Sequence, residues 1–378
     1  MRKFLVLCTA VCLSSALLQA QDTRGNFVTF DAPGASSAPQ GSPTPMHGTI
    51  VADINARGEI IGTFNDDANT VIQTFVRYPD GRIVVTNDPA AATAPTQLAL
   101  QVGTTPYAIN DADVATGIGV DQNGHTFAFV RSANGTFTNF NGPQSDPWFV
   151  PITASFSINN KGQTTGDYTD YPIASHAFIR EADGTLNSFD APDASFTGFW
   201  NGTTATNINT FGDVCGYYHD ANAVIHSFLR LHTGQVIEFE VPGAGTSPYQ
   251  GAFASRITDQ GVVIGFYEDD NWQTTTYVRY PNGQIVNVAF PQIPDGNDFG
   301  IANVNHAGDI AGSYLDANSG EHAFLLKRNG QLFHIDAPNA GAGVFQGTIA
   351  VKLTDSGDVA GYFIDANNVS HGFLWTAH

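Results

Sequence analysis

Three kinds of side chain in this chain could do chemistry, and each recurs at intervals of about 50 residues. Histidines open the runs His176-Ala177-Phe178-Ile179, His226-Ser227-Phe228-Leu229, His322-Ala323-Phe324-Leu325 and His371-Gly372-Phe373-Leu374. Carboxylates crowd short turns, at Asp66, Asp67, Asp121, Asp170, Asp220, Asp269, Asp270, Asp316 and Asp365. Aromatic and polar residues gather where one repeat passes to the next. A metal ion needs three or four ligands around one point. The four histidines hold equivalent places in separate repeats, so no three of them can meet on one ion. A structural role is expected instead, each imidazole bonding a neighbouring strand of its own repeat. The Asp of Phe30-Asp31-Ala32-Pro33, Phe189-Asp190-Ala191-Pro192 and Ile335-Asp336-Ala337-Pro338 is suited to capping the turn that follows.

The junctions between repeats supply the candidate ligand-binding residues: His47, Trp148, Phe149, Phe196, Phe199, Trp200, His219, Tyr249, Asp295 and Asp298. Aromatic rings beside carboxylates and amides suit sugars, whose C–H faces stack while their hydroxyls accept and donate hydrogen bonds. Trp200, Tyr249 and Phe345 share one position in their repeats, which favours packing between units for those three. Trp148, Phe196 and Phe199 are less periodic and make better ligand candidates. Acidic turns offer the oxygen ligands Ca²⁺ prefers, but none has EF-hand or glycine-aspartate nonapeptide spacing, so no cofactor and no metal site are expected, with Ca²⁺ on these loops as the alternative. Catalytic motifs are missing: there is no Gly-x-Ser-x-Gly, no His-Glu-x-x-His and no phosphate loop. An acid–base pair would have to be assembled from different repeats, with His47 or His219 beside Asp295 or Asp298 the nearest to one; the catalytic residues are otherwise unknown.

The elements that position these groups are short strands. In each repeat an apolar residue precedes Asn or Thr, Gly follows about three residues on, and a second Gly follows that. The second Gly falls at Gly62, Gly117, Gly166, Gly216, Gly265, Gly312 and Gly361. One repeat reads as four β-branched or aromatic runs separated by turn residues, with Asp80-Gly81, Asn134-Gly135, Asp183-Gly184, Asn282-Gly283 and Asn329-Gly330 as hairpin signals. Seven such units predict an all-β, seven-bladed β-propeller of four-stranded antiparallel blades. The last repeat stops at its third strand. Residues 26–33 resemble the missing fourth one, so the N-terminal strand is expected to complete the last blade and close the ring. The units fall near 47–89, 102–143, 151–192, 202–242, 250–291, 297–338 and 346–376 plus 26–33, within a single domain spanning 21–378. Strand direction puts the second-to-third turns and the crossings between units on one face, which is acidic and carries the aromatics. Variable loops on a rigid frame are where binding usually resides.

The His-Ala-Phe runs, with the Gly-x-x-x-Gly-x-Tyr strands before them, resemble the extracellular HAF repeats of bacteria over essentially the whole chain. Gln73, Phe127 and Thr275 depart from the pattern at the His position. The resemblance implies export and a repeat architecture, and carries no activity or catalytic residue.

Composition narrows the partners. The formal net charge is −20 at pH 7, which repels nucleic-acid backbones and anionic membranes. Charged residues are only 13% and hydrophobic ones 42%, a folded rather than a disordered composition. Residues 1–20 read as a signal peptide: Arg2 and Lys3, an apolar run, then the small residue Ala20. No other stretch is apolar enough for membrane insertion. Cys8 and Cys12 would leave with the leader, and Cys215, in an apolar strand, is expected to be a buried small hydrophobe rather than a reactive thiol. The function expected is a secreted, monomeric, non-enzymatic binding protein for a glycan, peptide or surface partner such as an extracellular protein, in the periplasm, on the surface or in the medium. The alternatives are a secreted polysaccharide lyase or hydrolase on the same face, or a structural extracellular repeat protein.

Overall fold

The computed structural model describes residues 25–39, 41, 47–66, 71–95, 102–143, 152–170, 174–197, 201–288 and 299–377, with the side chain of Phe299 not described. These residues form 28 β-strands and no helix. After β1 (Gly25–Phe30), the first unit contains β2 (His47–Ile54), β3 (Ile60–Asn65), β4 (Val71–Arg77) and β5 (Ile83–Val85). The second is β6 (Val102–Ile109), β7 (Ala115–Val120), β8 (Thr126–Arg131) and β9 (Phe137–Phe140). The third is β10 (Thr153–Ile158), β11 (Thr164–Asp170), β12 (Ala174–Arg180) and β13 (Leu186–Phe189). The fourth is β14 (Thr203–Ile208), β15 (Val214–His219), β16 (Ile225–Arg230) and β17 (Val236–Phe239). The fifth is β18 (Gly251–Ile257), β19 (Val263–Glu268), β20 (Thr274–Arg279) and β21 (Ile285–Asn287), and the sixth is β22 (Phe299–Val304), β23 (Ile310–Leu315), β24 (Glu321–Leu326) and β25 (Leu332–Ile335). The seventh has β26 (Gly347–Leu353), β27 (Val359–Ile364) and β28 (Val369–Ala377), and its fourth strand is β1, antiparallel to β28 from Gly25↔Ala377 to Phe30↔Gly372.

One contact recurs in every unit and explains the repeat. The second-strand glycine sits directly opposite the aromatic residue of the third strand: Gly62↔Phe75, Gly117↔Phe129, Gly166↔Phe178, Gly216↔Phe228, Gly265↔Tyr277, Gly312↔Phe324 and Gly361↔Phe373. All seven rings are fully buried, each stabilising the fold by about 1.5–3 kcal/mol. The ring lies across the glycine. A Cβ on Gly312 would meet the carbonyl oxygen of Gly300 at 2.2 Å and the Phe324 ring at 2.9 Å. Only hydrogen fits there.

The inner strands carry a second regularity, a bulge of one residue in each, for example between Ala254 and Arg256 in β18. A bulge increases local twist and re-aims the residues that follow it. The tilt lets consecutive units touch edge to edge. Gly251 takes φ +129° so that its backbone can pair in parallel with Ile225 of the preceding unit, where a Cβ would sit 2.0 Å from the Ile225 carbonyl oxygen. The threonine that follows such a glycine accepts the N–H that ends the previous unit, as Thr203 Oγ1 does from Ala191 at 3.0 Å and Thr348 Oγ1 from Ala337 at 2.9 Å.

The same contacts join the last unit to the first. His47 and Gly48 of β2 pair in parallel with Val369 and Ser370 of β28. Ala32 N–H donates to Thr49 Oγ1 at 2.9 Å, and the Arg77 guanidinium lies 4.9 Å above the Phe30 ring. Lys352 of the seventh unit pairs with Asp53 of the first at 3.3 Å. Cys215 is fully buried, and burial pushes its thiol up to about 12, so it packs as a small hydrophobe.

Gly312→Ala is expected to cost about 3 kcal/mol in equilibrium unfolding, because neither the backbone oxygen nor the clamped ring can yield. Gly300→Ala, where a Cβ meets nothing within 4 Å, is the control and is expected to change stability by less than about 0.5 kcal/mol. Equal costs at the two sites would contradict this view of the repeat.

Candidate functional site

Each HAF-type histidine stands between two carboxylates from its own sheet. His176 lies 3.2 Å from Asp170 at the end of β11 and 3.0 Å from Asp190 beyond β13. His226 lies between Asp220 at 3.6 Å and Glu240 at 2.8 Å, and His322 between Asp316 at 3.6 Å and Asp336 at 2.8 Å. In the seventh unit His371 lies between Asp365 at 3.7 Å and Asp31 at 2.9 Å, the latter contributed by the chain just after β1. Each imidazole also stacks on a second-strand aromatic, with ring centroids 5.4 Å apart for Tyr168, 5.2 Å for Tyr218 and Tyr314, and 4.9 Å for Phe363. The imidazole thus ties the third strand to the second-to-third turn and to the end of the fourth strand. This corrects one expectation. Asp31, Asp190 and Asp336 reach back to a histidine, and the turn after Asp31 is closed by backbone, Ala35 N–H to the Ala32 carbonyl at 3.0 Å.

These carboxylates, their hydrogen bonds first and their charge second, hold His176, His322 and His371 above the ordinary imidazole value of 6.5. Desolvation opposes the shift without cancelling it. His219, at the end of β15, goes the other way, because burial disfavours its charged form. Its ring lies 6.3 Å from that of Tyr249 and 6.1 Å from that of Tyr217.

Of the sequence candidates, His47, Phe196, His219 and Tyr249 are described; Trp148, Phe149, Phe199, Trp200, Asp295 and Asp298 lie outside the described residues. His47 opens β2 and is 9% exposed, inside the junction between the first and seventh units. Phe196 is partly exposed and lies flat on His176, with centroids 5.0 Å apart, so that His176 is sandwiched between Phe196 and Tyr168. Tyr249 and His219 come together where the fourth unit passes to the fifth.

The expectation of packing between units fails for Tyr249 and Phe345. They are 55% and 50% exposed. Both take left-handed backbone, φ +65° and +58°, which is costly for bulky residues. Their amides explain the conformation: Tyr249 N–H donates to the Ala223 carbonyl and Phe345 N–H to the Ser319 carbonyl, each at 2.7 Å in the second-to-third turn of the preceding unit. The strand-entry loop is pinned to that turn, and its ring is turned outward. Trp272, 59% exposed at φ +61°, projects from the second-to-third turn of the fifth unit, on the same side of the strands. The turns on this side of the strands carry carboxylates. Asp220, Asp269, Asp316 and Asp365 each accept backbone N–H groups inside their own turns.

The opposite ends of the inner strands hold groups that sequence reasoning missed. The turn asparagines link unit to unit: Asn55 Nδ2 donates to the Asn110 carbonyl at 2.9 Å, Asn110 to Asn159 at 3.0 Å and Asn159 to Asn209 at 2.9 Å. The signal was present in the recurring Asn or Thr three residues before glycine, which reads as turn chemistry alone. A cavity of about 240 Å³ at this end is lined by all seven inner strands, with His306 between Asp355 at 2.5 Å and Asp259 at 3.7 Å. Among the described residues no group of three or more His, Cys, Asp or Glu is arranged to hold a metal ion. No helix among them is long and apolar enough to cross a membrane.

Compared with models of known families and with curated proteins, the sequence matches none. Solved structures do match. The β-propeller domain of the Trilobed protease from Pyrococcus furiosus is 8% identical with a TM-score of 0.50, covering 87% of this chain and 94% of that one. The BP39L lectin from Burkholderia pseudomallei is 11% identical with a TM-score of 0.51, covering 85% and 92%. A prolyl endopeptidase is 11% identical with a TM-score of 0.48; 81% of this chain is covered, and this chain spans 45% of that protein's length. The likeness to the first two identifies the fold as a β-propeller.

Because the folded protein keeps protons on His176, His322 and His371 to higher pH than the unfolded chain does, their contribution is complete below pH 6.5 and is lost as pH rises through their raised values. Denaturant midpoints are expected to fall from pH 6 to 8.5 more steeply in the wild type than in a His176→Gln, His322→Gln, His371→Gln variant. Parallel pH profiles would rule the carboxylate brackets out as stabilising elements.

Proposed function

We propose that this chain is an exported, monomeric HAF-repeat protein, a seven-bladed β-propeller whose ring is closed by its N-terminal strand, and that it binds extracellular carbohydrate without turning it over. The observation that carries the reading is the pair Tyr249 and Phe345, held in costly left-handed backbone with their rings outward. Strain of this kind persists where the surrounding structure over-determines it, and it clusters at ligand sites. About half of each side chain stays exposed, the Tyr249 ring meeting that of His219 at 6.3 Å. An exposed ring beside turn carboxylates offers a sugar both a stacking face and hydrogen-bond acceptors. That a propeller of similar extent serves as a lectin supports the same reading.

Binding to a glycan and polysaccharide array, using the mature chain, is the test. Saturable retention is expected, reduced at least tenfold by Tyr249→Ala with Phe345→Ala, with the melting temperature little changed, because alanine keeps the Cβ and the same left-handed backbone. A blank array, or retention indifferent to both substitutions, would remove the carbohydrate reading. Release of shortened or unsaturated sugars from a bound polysaccharide would replace it with the enzymatic one.

A further inference from the structure

A second cavity, of about 470 Å³, is lined by the inner three strands of the fifth and sixth units. Its origin can be read in the register. Gly300 of β22 faces Ser313 of β23. The equivalent cross-strand pairs are Thr204 with Tyr217, Phe253 with Phe266, and Ile349 with Tyr362. In the fifth unit that pair is a stack of two rings 4.7 Å apart. The sixth unit has a glycine and a serine in the same place. Gly300 does not need to be glycine for its backbone: its φ is ordinary, and a Cβ there would meet nothing within 4 Å. The space is therefore written into the side chains rather than forced by the fold.

The lining is apolar with a few polar groups, the composition of a small-molecule site. Ile264, Phe266, Ile301 and Leu315 supply walls and Thr274 and Thr276 supply hydroxyls, while the Ser313 hydroxyl accepts the Ala350 N–H of the seventh unit at 2.8 Å. Two ionisable residues line the same space, Arg256 and Glu321. Arg256 follows the bulge of β18 and is only partly exposed. Among the described residues its guanidinium takes part in no hydrogen bond or ion pair, in a chain with 35 acidic residues against 15 Lys and Arg. Lys352, the residue after the corresponding bulge in β26, pairs with Asp53 at 3.3 Å. A planar, half-buried guanidinium with five donors and no acceptor matches a carboxylate, which it can hold by two parallel hydrogen bonds.

We infer that the cavity between the fifth and sixth units is a binding site for a small organic acid with an apolar body, its carboxylate on Arg256 and its ring or chain in the space that Gly300 and Ser313 leave open. The hydroxyls of Thr274 and Thr276 select a ligand bearing a hydrogen-bonding group away from the carboxylate. The site is independent of the proposed carbohydrate face and can stand or fall without it.

Calorimetry and thermal shift with 4-hydroxyphenylacetate test the assignment, with 4-hydroxyphenylacetamide as the uncharged ligand of the same shape. The acid is expected to bind saturably and raise the melting temperature, and the amide to bind at least tenfold more weakly. Arg256→Met is expected to abolish the difference between them. Gly300→Leu is expected to abolish binding of both while raising the melting temperature of the free protein, because it fills an apolar gap. Equal affinity for acid and amide, binding that survives Gly300→Leu, or no binding of the acid at millimolar concentration would each overturn the inference.

Discussion

A hydrogen atom under an aromatic ring is the constraint on which this structure rests. Where the second strand presents glycine, the third-strand Phe or Tyr can lie across the sheet and bury its whole face. Any other residue at that point would meet a carbonyl oxygen at about 2 Å and lift the ring. Seven repetitions of the contact give seven similar units. Most of the units are joined in series by one kind of junction, the parallel pairing of an inner-strand glycine with the third strand of the preceding unit.

Chemistry is then distributed by what each unit adds to that frame. The imidazoles bracketed by carboxylates bind three strands at the outer part of a sheet, and in the seventh unit the bracket includes Asp31, so that it ties the start of the chain to its end. The loop amides pinned on the preceding turn turn Tyr249 and Phe345 outward. Omission matters as much as addition. Gly300 and Ser313 withhold the bulk that neighbouring units place between strands, and Arg256 lines the space as well as the cavity at the strand ends. Rigid repetition makes such single departures consequential, since the surrounding units cannot collapse to fill them.

Much of this was legible in the residues. Asn-Gly and Asp-Gly turns, alternating strands and the likeness of residues 26–33 to other fourth strands follow from turn chemistry and periodicity, and the strand pairings agree, β1 with β28 included. The HAF histidines could be read as struts, but their partners could not. Asp190 is fourteen residues from His176 and Asp31 is at the other end of the chain, and only register brings them within reach. The outward turn of Tyr249 was hidden because its periodic spacing is what a packing residue would show. Arg256 was hidden for another reason: a bulge of one residue decides which way it points, and no periodicity reports a bulge. Trp148, Phe199 and Trp200 remain sequence candidates outside the described residues.

Units joined in series, with the first strand completing the last of them, should open as one cooperative body rather than fray from an end. Native-state hydrogen exchange read on the amides of β1, β28 and β2 measures this directly. The expected result is one shared opening free energy for all three strands, equal to that of global unfolding. Rapid exchange of β1 while β2 and β28 stay protected would contradict it, and would mean that the seventh sheet stands without the strand the chain begins with.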